Sequence, residues 1–346
     1  MQRGFRKRAG GGKPASVIMR LLTAAGLILS AAPLVAQEKP SEPPTPSSIV
    51  AASKPNEWKA IDPADLLVMD LAADTKGARR QVIIQLMPPP YSQGWVGNIR
   101  TLARAHWWDG TTVYRVVDNW VTQWGDGEDD PKKAKPLPPE IIKVPESDYT
   151  VPMTCQVYLF QKKVIKEQCD PALTGLDPID PYVPKGQAGF TAGWPVAMAL
   201  QSEGNRTWPV HCYGSVGVAR DLSPDTGTGA ELYAVIGHAP RQLDRNIAVV
   251  GRVIEGIANL SSLPRGKGEA GVYDDPALKV PIVSVRLANE LPAGEQPRFE
   301  YLASDSQSFA DYVHAKSNLQ SAFYKTPASG IDVCNVQVPI RRVGKK

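Results

Sequence analysis

Cysteine and histidine are scarce in this sequence, with four of each among 346 residues. The cysteines never occur as Cys-x-x-Cys, and no two histidines stand at the paired spacing of metal-binding segments. Zinc sites in proteins draw most of their three or four ligands from these two residue types. We therefore expect no metal centre.

The short motifs of several enzyme and ion-binding classes are also missing. Gly-Ser-Val-Gly from residue 214 is not the Gly-x-Ser-x-Gly of many hydrolases, and Gly-Lys-Gly from residue 266 lacks the P-loop spacing. The acidic residues at 126 and 128–130 lack the spacing of an EF-hand loop, so we interpret them as a solvated turn. These absences disfavour a serine hydrolase, a P-loop nucleotide site and an EF-hand.

The sequence also lacks an apolar run long enough to cross a membrane. Its longest run, residues 21–36, has 16 residues and contains Pro33, whereas a spanning helix needs about 20. Six basic residues and no acidic one accompany it in the first 36 residues, and Ala36 precedes the polar Gln37. This pattern is typical of a secretory signal peptide over residues 1–36, with an uncleaved anchor as the alternative.

Loss of residues 1–36 would change the formal net charge from +4 to −2. The mature chain is then not basic, which argues against a nucleic-acid partner. We expect a periplasmic or secreted protein with no stable membrane insertion after signal cleavage. Residues 37–60 are rich in proline, serine and charge, and they predict a flexible linker.

The four cysteines lie at positions 155, 169, 212 and 334, all in the exported part. An even number fits two disulfides in an oxidising compartment, and four cysteines permit three pairings. Residues 155–169 have the pattern of a hairpin. We therefore favour Cys155 with Cys169, which leaves Cys212 to join Cys334 and attach the C-terminal tail.

One arginine interrupts an apolar alternating run at residues 110–126. In a half-buried strand successive side chains face opposite sides, so Val113 and Arg115 are expected on one face and Tyr114 on the other. A guanidinium among valines needs acceptors, water or the carbonyl of a ligand. Arg115 is therefore either the structural partner of a backbone carbonyl or a group that contacts a ligand.

The same stretch resembles the central motif of the cyclophilin family of peptidyl-prolyl isomerases. The matching positions are an aromatic residue, the arginine, an aromatic and an apolar residue after a turn, a glutamine and a Gly-Asp pair: Tyr114, Arg115, Trp120, Val121, Gln123, Gly125 and Asp126. Three further blocks, at residues 76–86 with 98–115, at 211–237 and at 243–260, agree with the family in order. The similarity spans residues 67–288 with one interruption.

This resemblance implies a mainly β fold, a closed eight-stranded antiparallel barrel capped by two helices, over residues 61–290. Residues 127–209 form a long insertion; it holds 12 of the 32 prolines, so we expect a loop excursion on the barrel surface. Residues 291–346 form a C-terminal extension, with a predicted helix at 308–324 and a predicted strand at 331–340.

The resemblance also implies peptidyl-prolyl cis-trans isomerase activity on X-Pro bonds of secreted or periplasmic polypeptides, without a cofactor, in a monomer. Arg115 would stabilise the twisted imide, and Gln123 would hold the arginine and contact the substrate backbone. By the same resemblance five residues would form the pocket for the proline ring: Trp120, Val121, Tyr233, Leu243 and Ile247.

Four positions depart from the family pattern. Val121 replaces a methionine, Glu231 a glutamine, Gln242 a frequent tryptophan, and Ile247 a histidine near the pocket. The missing histidine removes a contact to the substrate carbonyl or to water. These departures keep open the alternative of a catalytically weak, cyclophilin-like peptide-binding module or chaperone.

Overall fold

The computed structural model describes residues 43–128, 130–160, 163–170, 172, 174–177, 180–183, 186–199, 204–321 and 323–344. The expected signal peptide, residues 1–36, lies outside the described residues. Within the described ranges, no helix combines the length and the apolar character that a bilayer span requires.

Strands dominate the described chain, and short 3-10 turns join many of them. The helices are α1 Pro46–Ala52, α2 Gln93–Arg104, α3 Ala258–Ser261 and α4 Gln307–Ser317. The strands are β1 Trp58–Ala60, β2 Leu66–Leu71, β3 Arg80–Leu86, β4 Thr112–Val116, β5 Val121–Gly125, β6 Val151–Pro152, β7 Thr154–Phe160, β8 Lys163–Asp170, β9 Thr174–Asp177, β10 Gly186–Thr191, β11 Trp194–Ala199, β12 Arg206–Pro209, β13 Ser215–Val218, β14 Leu232–Val235, β15 Val249–Glu255, β16 Val280–Leu287, β17 Phe299–Leu302 and β18 Ile340–Arg342.

Eight of these strands close into a barrel in the order β13-β14-β5-β4-β16-β2-β3-β15, and every neighbouring pair is antiparallel. The predicted mainly β, eight-stranded fold is confirmed. Side chains alternate along each strand: on β14, Leu232 and Ala234 belong to the barrel core, whereas Tyr233 and Val235 belong to a separate cluster on the outer face.

Helix α2 packs on the barrel because Trp95, Ile99 and Leu102 recur at helical spacing and are fully buried. The Trp95 indole donates to the carbonyls of Thr226 and Gly227, which fixes the loop before β14. The short helix α3 buries Leu260 in the same core. These are the two helices expected beside the barrel.

The insertion is more ordered than its composition suggested, and the expectation of a loop excursion is wrong. It forms a five-stranded sheet in the order β6-β12-β11-β10-β9, together with the hairpin β7-β8. Phe190 and Trp208 from this sheet pack with Phe309 of α4 in a second core. The strand prolines do not prevent the sheet because Pro152 and Pro209 end their strands and Pro195 is only the second residue of β11.

The segments flanking the barrel also differ from expectation. Residues 46–57 of the expected linker form α1 and a 3-10 turn, since Thr45 caps α1 and Pro46 occupies its first position. Strands β1, β17 and β18 form a three-stranded sheet. The strand predicted at 331–340 is wrong: Asp332 accepts from the Cys334 amide and starts a 3-10 turn instead.

The structure contains the predicted disulfide between Cys212, just before β13, and Cys334 in the C-terminal segment. The register of β7 and β8 places Cys155 directly opposite Cys169. Cys169 is disulfide-bonded, but the Cys155 side chain lies outside the described residues, so its predicted pairing stays a prediction.

Candidate functional site

A row of residues crosses four neighbouring barrel strands. In the strand register Arg115 of β4 lies opposite Gln123 of β5, Gln123 lies opposite Tyr233 of β14, and Tyr233 lies opposite Gly217 of β13. Residues opposite each other on one face of a sheet have neighbouring side chains. Since Trp124, next to Gln123, is in the barrel core, the row lies on the outer face.

Arg115 reaches this face because of an irregularity in its own strand. The pairing of β4 with β5 shifts between Val113 and Arg115, and Val113 and Val116 both lie in the barrel core. The prediction that Val113 and Arg115 share a face is therefore wrong. Strict alternation fails at a bulge, which turns the following side chain to the other side.

Two neutral acceptors hold the Arg115 guanidinium. Its Nη1 donates to Gln123 Oε1 at 2.8 Å, and its Nε donates to the carbonyl of Ala270 at 2.6 Å. The two sequence-based interpretations of Arg115, a backbone-carbonyl partner and a ligand-binding group, are thus compatible. In the described part of the chain no carboxylate pairs with Arg115 and its Nη2 has no partner, so donors on both Nη atoms remain available to a ligand.

Burial lowers the pKa of Arg115, yet a guanidinium stays charged over the physiological range. A cation that is partly desolvated and lacks a neutralising carboxylate interacts strongly with any carbonyl that approaches it. The site can therefore orient and polarise an amide.

Gln123 is held on its other side by Tyr114. The Gln123 Nε2 donates to the Tyr114 hydroxyl, and that hydroxyl donates to Glu231 Oε2 at 2.8 Å. Burial, together with the charge of Glu231, raises the pKa of Tyr114 above its ordinary value. Sequence reasoning placed Tyr114 in the motif and noted Glu231 as a departure, but it did not connect the two.

Four of the five predicted pocket residues come together beside the row. Val121 and Tyr233 form a buried apolar cluster with Val235, and the partly buried Leu243 and Ile247 pack against it. Trp120 does not belong to this cluster; it is 40% exposed in the turn before β5. The partly exposed Leu243 and Ile247 give this cluster an apolar surface on the same face as Arg115, as a proline ring requires.

Tyr233 is fixed by His211, which stands two residues after the insertion. Its ring lies over Gly217, where a Cβ would come within 2.3 Å of the hydroxyl oxygen. The Tyr233 hydroxyl is 2.9 Å from His211 Nε2, and His211 Nδ1 is 3.0 Å from Asp244 Oδ1. In the neutral imidazole, Nδ1 donates to this carboxylate and Nε2 then accepts from the tyrosine.

A buried ion-pair group supports His211 in turn. Arg241 donates from Nε to Asp244 Oδ2 and from Nη2 to Asp180 Oδ2, both at 2.6 Å, and all three side chains are buried. Sequence reasoning missed His211 and this group: Asp180 belongs to the insertion, which has no counterpart in the family motif, and His211 only opens the matching block at 211–237. The Leu-Asp pair at 243–244 was the one available signal.

The comparisons with known proteins agree with this architecture. The family model for cyclophilin type peptidyl-prolyl cis-trans isomerases matches residues 81–287, more than half of the chain. A comparison with curated protein sequences gives no match.

Two solved structures illustrate the similarity. The crystal structure of cyclophilin AquaCyp293 from Hirschia baltica aligns with a TM-score of 0.59 and 22% identity, over 87% of this chain and 98% of that chain. A cyclophilin type peptidyl-prolyl cis-trans isomerase from Cryptosporidium parvum, crystallised in the presence of the dipeptide Ala-Pro, aligns with a TM-score of 0.33 and 12% identity, over 64% of this chain and 98% of that chain. From the family match over residues 81–287 and the closed eight-stranded barrel, the chain belongs to the cyclophilin type peptidyl-prolyl cis-trans isomerase family.

Proposed function

We propose that this protein catalyses cis-trans isomerisation of X-Pro peptide bonds in exported polypeptides. One observation carries the proposal: Arg115, held by Gln123 and Ala270 with donors left over, stands beside the apolar cluster of Val121, Tyr233, Leu243 and Ile247.

The reaction needs little beyond this arrangement. Rotation about an X-Pro bond must overcome amide resonance, a barrier of about 18–20 kcal/mol, and no nucleophile, metal or cofactor is required. An apolar surface that holds the proline ring desolvates the imide. A fixed cation that interacts more strongly with the twisted imide than with either planar form lowers the barrier.

The geometry supports a role for each of these residues. Arg115 would donate to the imide nitrogen, whose lone pair is restored in the twisted state, and would orient the preceding carbonyl. Gln123 keeps the guanidinium in place through its Oε1. Val121, Tyr233, Leu243 and Ile247 would receive the ring. Ile247 cannot replace the hydrogen bond of a histidine, so we expect an altered peptide preference and a lower turnover than in histidine-bearing relatives.

The export of the protein is also proposed. The basic, apolar pattern of residues 1–36 and the disulfide between Cys212 and Cys334 support it, because disulfides persist in oxidising compartments. The substrates would then be newly exported or unfolding polypeptides. Mass spectrometry of the native N-terminus tests the expected cleavage near Ala36; an intact Met1 in the exported protein would contradict it.

A protease-coupled isomerisation assay on the purified mature chain tests the activity. We expect Arg115→Ala to lower kcat/KM by about 100-fold or more, as removal of a transition-state donor does elsewhere. The control is Arg79→Ala, whose side chain is 72% exposed and paired with Asp70. Peptide binding without any acceleration of proline rotation in the unmodified chain would favour the peptide-binding module instead.

A further inference from the structure

A carboxylate occupies the end of the hydrogen-bond chain that leads to Arg115. Glu231 Oε1 accepts from the backbone amides of Asp126 at 2.7 Å and Gly127 at 3.3 Å, and Oε2 accepts from the Tyr114 hydroxyl at 2.8 Å. The carboxylate rests on Gly125, where a Cβ would come within 2.2 Å of it. The Gly-Asp-Gly turn after β5 is therefore shaped around this side chain.

The direction of each hydrogen bond in the chain is determined. A guanidinium has only donors, so Gln123 presents its oxygen to Arg115 and its Nε2 to Tyr114. The proton of the Tyr114 hydroxyl then points to the other side, where Glu231 Oε2 accepts it. An ionised carboxylate, which only accepts, is the group that maintains this direction at the other end of the hydrogen-bond chain.

We propose that Glu231 is a positioning residue of the isomerase site, which fixes the Gln123 amide with its oxygen toward Arg115 by accepting the Tyr114 proton. The inference rests on the proposed function. If the group at 231 donated instead, the Tyr114 proton would point to Gln123, and the amide would rotate to pair with it. The amide nitrogen would then face the guanidinium, and Arg115 would lose one of its two acceptors.

This arrangement makes the site sensitive to protonation. Burial raises the pKa of Glu231, and the negative charge of Asp126 adds to this effect. The hydrogen bonds from Tyr114, Gly127 and Asp126 lower the pKa, but burial outweighs them. The ionisable groups that face this carboxylate are Tyr114 from β4 and Asp126 from the turn after β5, with Arg115 behind Tyr114. Above the raised pKa the hydrogen bonds from Arg115 to Glu231 keep their direction. As the pH falls through that pKa, Glu231 is protonated and becomes a donor, and the direction of these hydrogen bonds reverses.

The first test uses Glu231→Gln, which preserves the shape. Its oxygen must still accept from the amides of Asp126 and Gly127, so its NH2 group faces Tyr114 and donates. We expect kcat/KM at neutral pH to fall about 10-fold, as for the loss of one hydrogen bond to a charged group. In the unmodified protein kcat/KM should decline on acidification, at a pH above the ordinary pKa range of a glutamate. In Glu231→Gln this decline should disappear. The exposed Glu295→Gln serves as the control and should retain both.

Tyr114→Phe provides the coupling test. It removes the hydroxyl that links Glu231 to Gln123, so a subsequent Glu231→Gln exchange should change kcat/KM by less than about twofold. An equal loss from Glu231→Gln with and without Tyr114→Phe, or an acid decline that persists in Glu231→Gln, would overturn the positioning role.

A second readout needs no turnover. In the unmodified chain the side-chain amide resonance of Gln123 and the Nε–H resonance of Arg115, assigned by their loss in Gln123→Ala and Arg115→Ala, should shift with one common midpoint as the pH is lowered. In Glu231→Gln neither should shift. If the unmodified protein shows this titration but no isomerase activity, the proposed function is wrong and the hydrogen-bond chain from Glu231 to Arg115 is supported. If the protein is active but the two resonances do not titrate together, only the positioning role of Glu231 is wrong. This second result comes from the unmodified protein and does not require Glu231→Gln to fold.

Discussion

Two arginines on this barrel are held in opposite ways. Arg115 is held by the amide oxygen of Gln123 and the carbonyl of Ala270, and no carboxylate pairs with it among the described residues. Arg241 is buried and bonded to Asp180 and Asp244 at 2.6 Å each. Burial lowers the pKa of Arg115, whereas at Arg241 the two carboxylates outweigh burial and raise the pKa.

The difference separates a functional cation from a structural one. A guanidinium paired with two carboxylates has little field left for a ligand, and removing one carboxylate leaves buried hydrogen-bond donors without an acceptor. A guanidinium held by neutral acceptors keeps its charge for an approaching imide, and its loss should affect activity more than folding. The two networks meet near Tyr233, since Asp244 also binds His211, which contacts the Tyr233 hydroxyl.

The largest effect on stability is expected where the structural network is broken. Asp244→Ala removes the acceptor of three buried donors, Arg241 Nε, His211 Nδ1 and the His211 backbone amide. At about 1–3 kcal/mol for each unsatisfied donor, we expect the free energy of unfolding to fall by about 3–5 kcal/mol, measured by urea denaturation. The control is Asp118→Ala, an exposed partner of Arg265, where about 0.5 kcal/mol or less is expected. A loss at Asp244 no larger than at Asp118 would contradict the structural role.

The second prediction applies one exchange to both arginines. Lysine keeps the charge but lacks the planar fork. Arg115→Lys should lower kcat/KM by about 100-fold and change the free energy of unfolding by about 0.5 kcal/mol or less. Arg241→Lys should lower the free energy of unfolding by about 2 kcal/mol, with a smaller loss of kcat/KM than at Arg115. The same protease-coupled assay and urea titration measure both; a reversed pattern would refute the assignment of the two roles.

The sequence predicted one network much better than the other. Arg115 and Gln123 stand in a short motif within two adjacent strands, so their proximity follows from the hairpin itself. Asp180 of the insertion, His211 just after it and Arg241 before β15 are far apart in the sequence, and no local pattern indicates that they form one network behind Tyr233.

Two smaller failures have local physical causes. Periodicity placed Val113 and Arg115 on one face, but the bulge in β4 adds a residue that alternation cannot anticipate. The alternating residues 331–340 suggested a strand, yet the Asp332 cap and the disulfide at Cys334 hold a 3-10 turn there. Patterns of period two indicate a strand only where a pairing partner is available.

The smallest expected effect concerns the loop that supplies the second neutral acceptor of Arg115. Ala270 has φ 53°, in the left-handed region, and is exposed, so it has little packing to lose. Glycine relieves a strain of about 1 kcal/mol at this angle but gains a similar entropy in the unfolded chain. Ala270→Gly should therefore change the free energy of unfolding by about 0.5 kcal/mol or less and leave kcat/KM within about twofold.

Ala270→Val introduces a β-branched residue that resists positive φ. It should move the carbonyl and lower kcat/KM by about threefold to tenfold through the weakened bond to Arg115 Nε. Equal activity of the valine and glycine variants would show that the Ala270 carbonyl does not position the arginine.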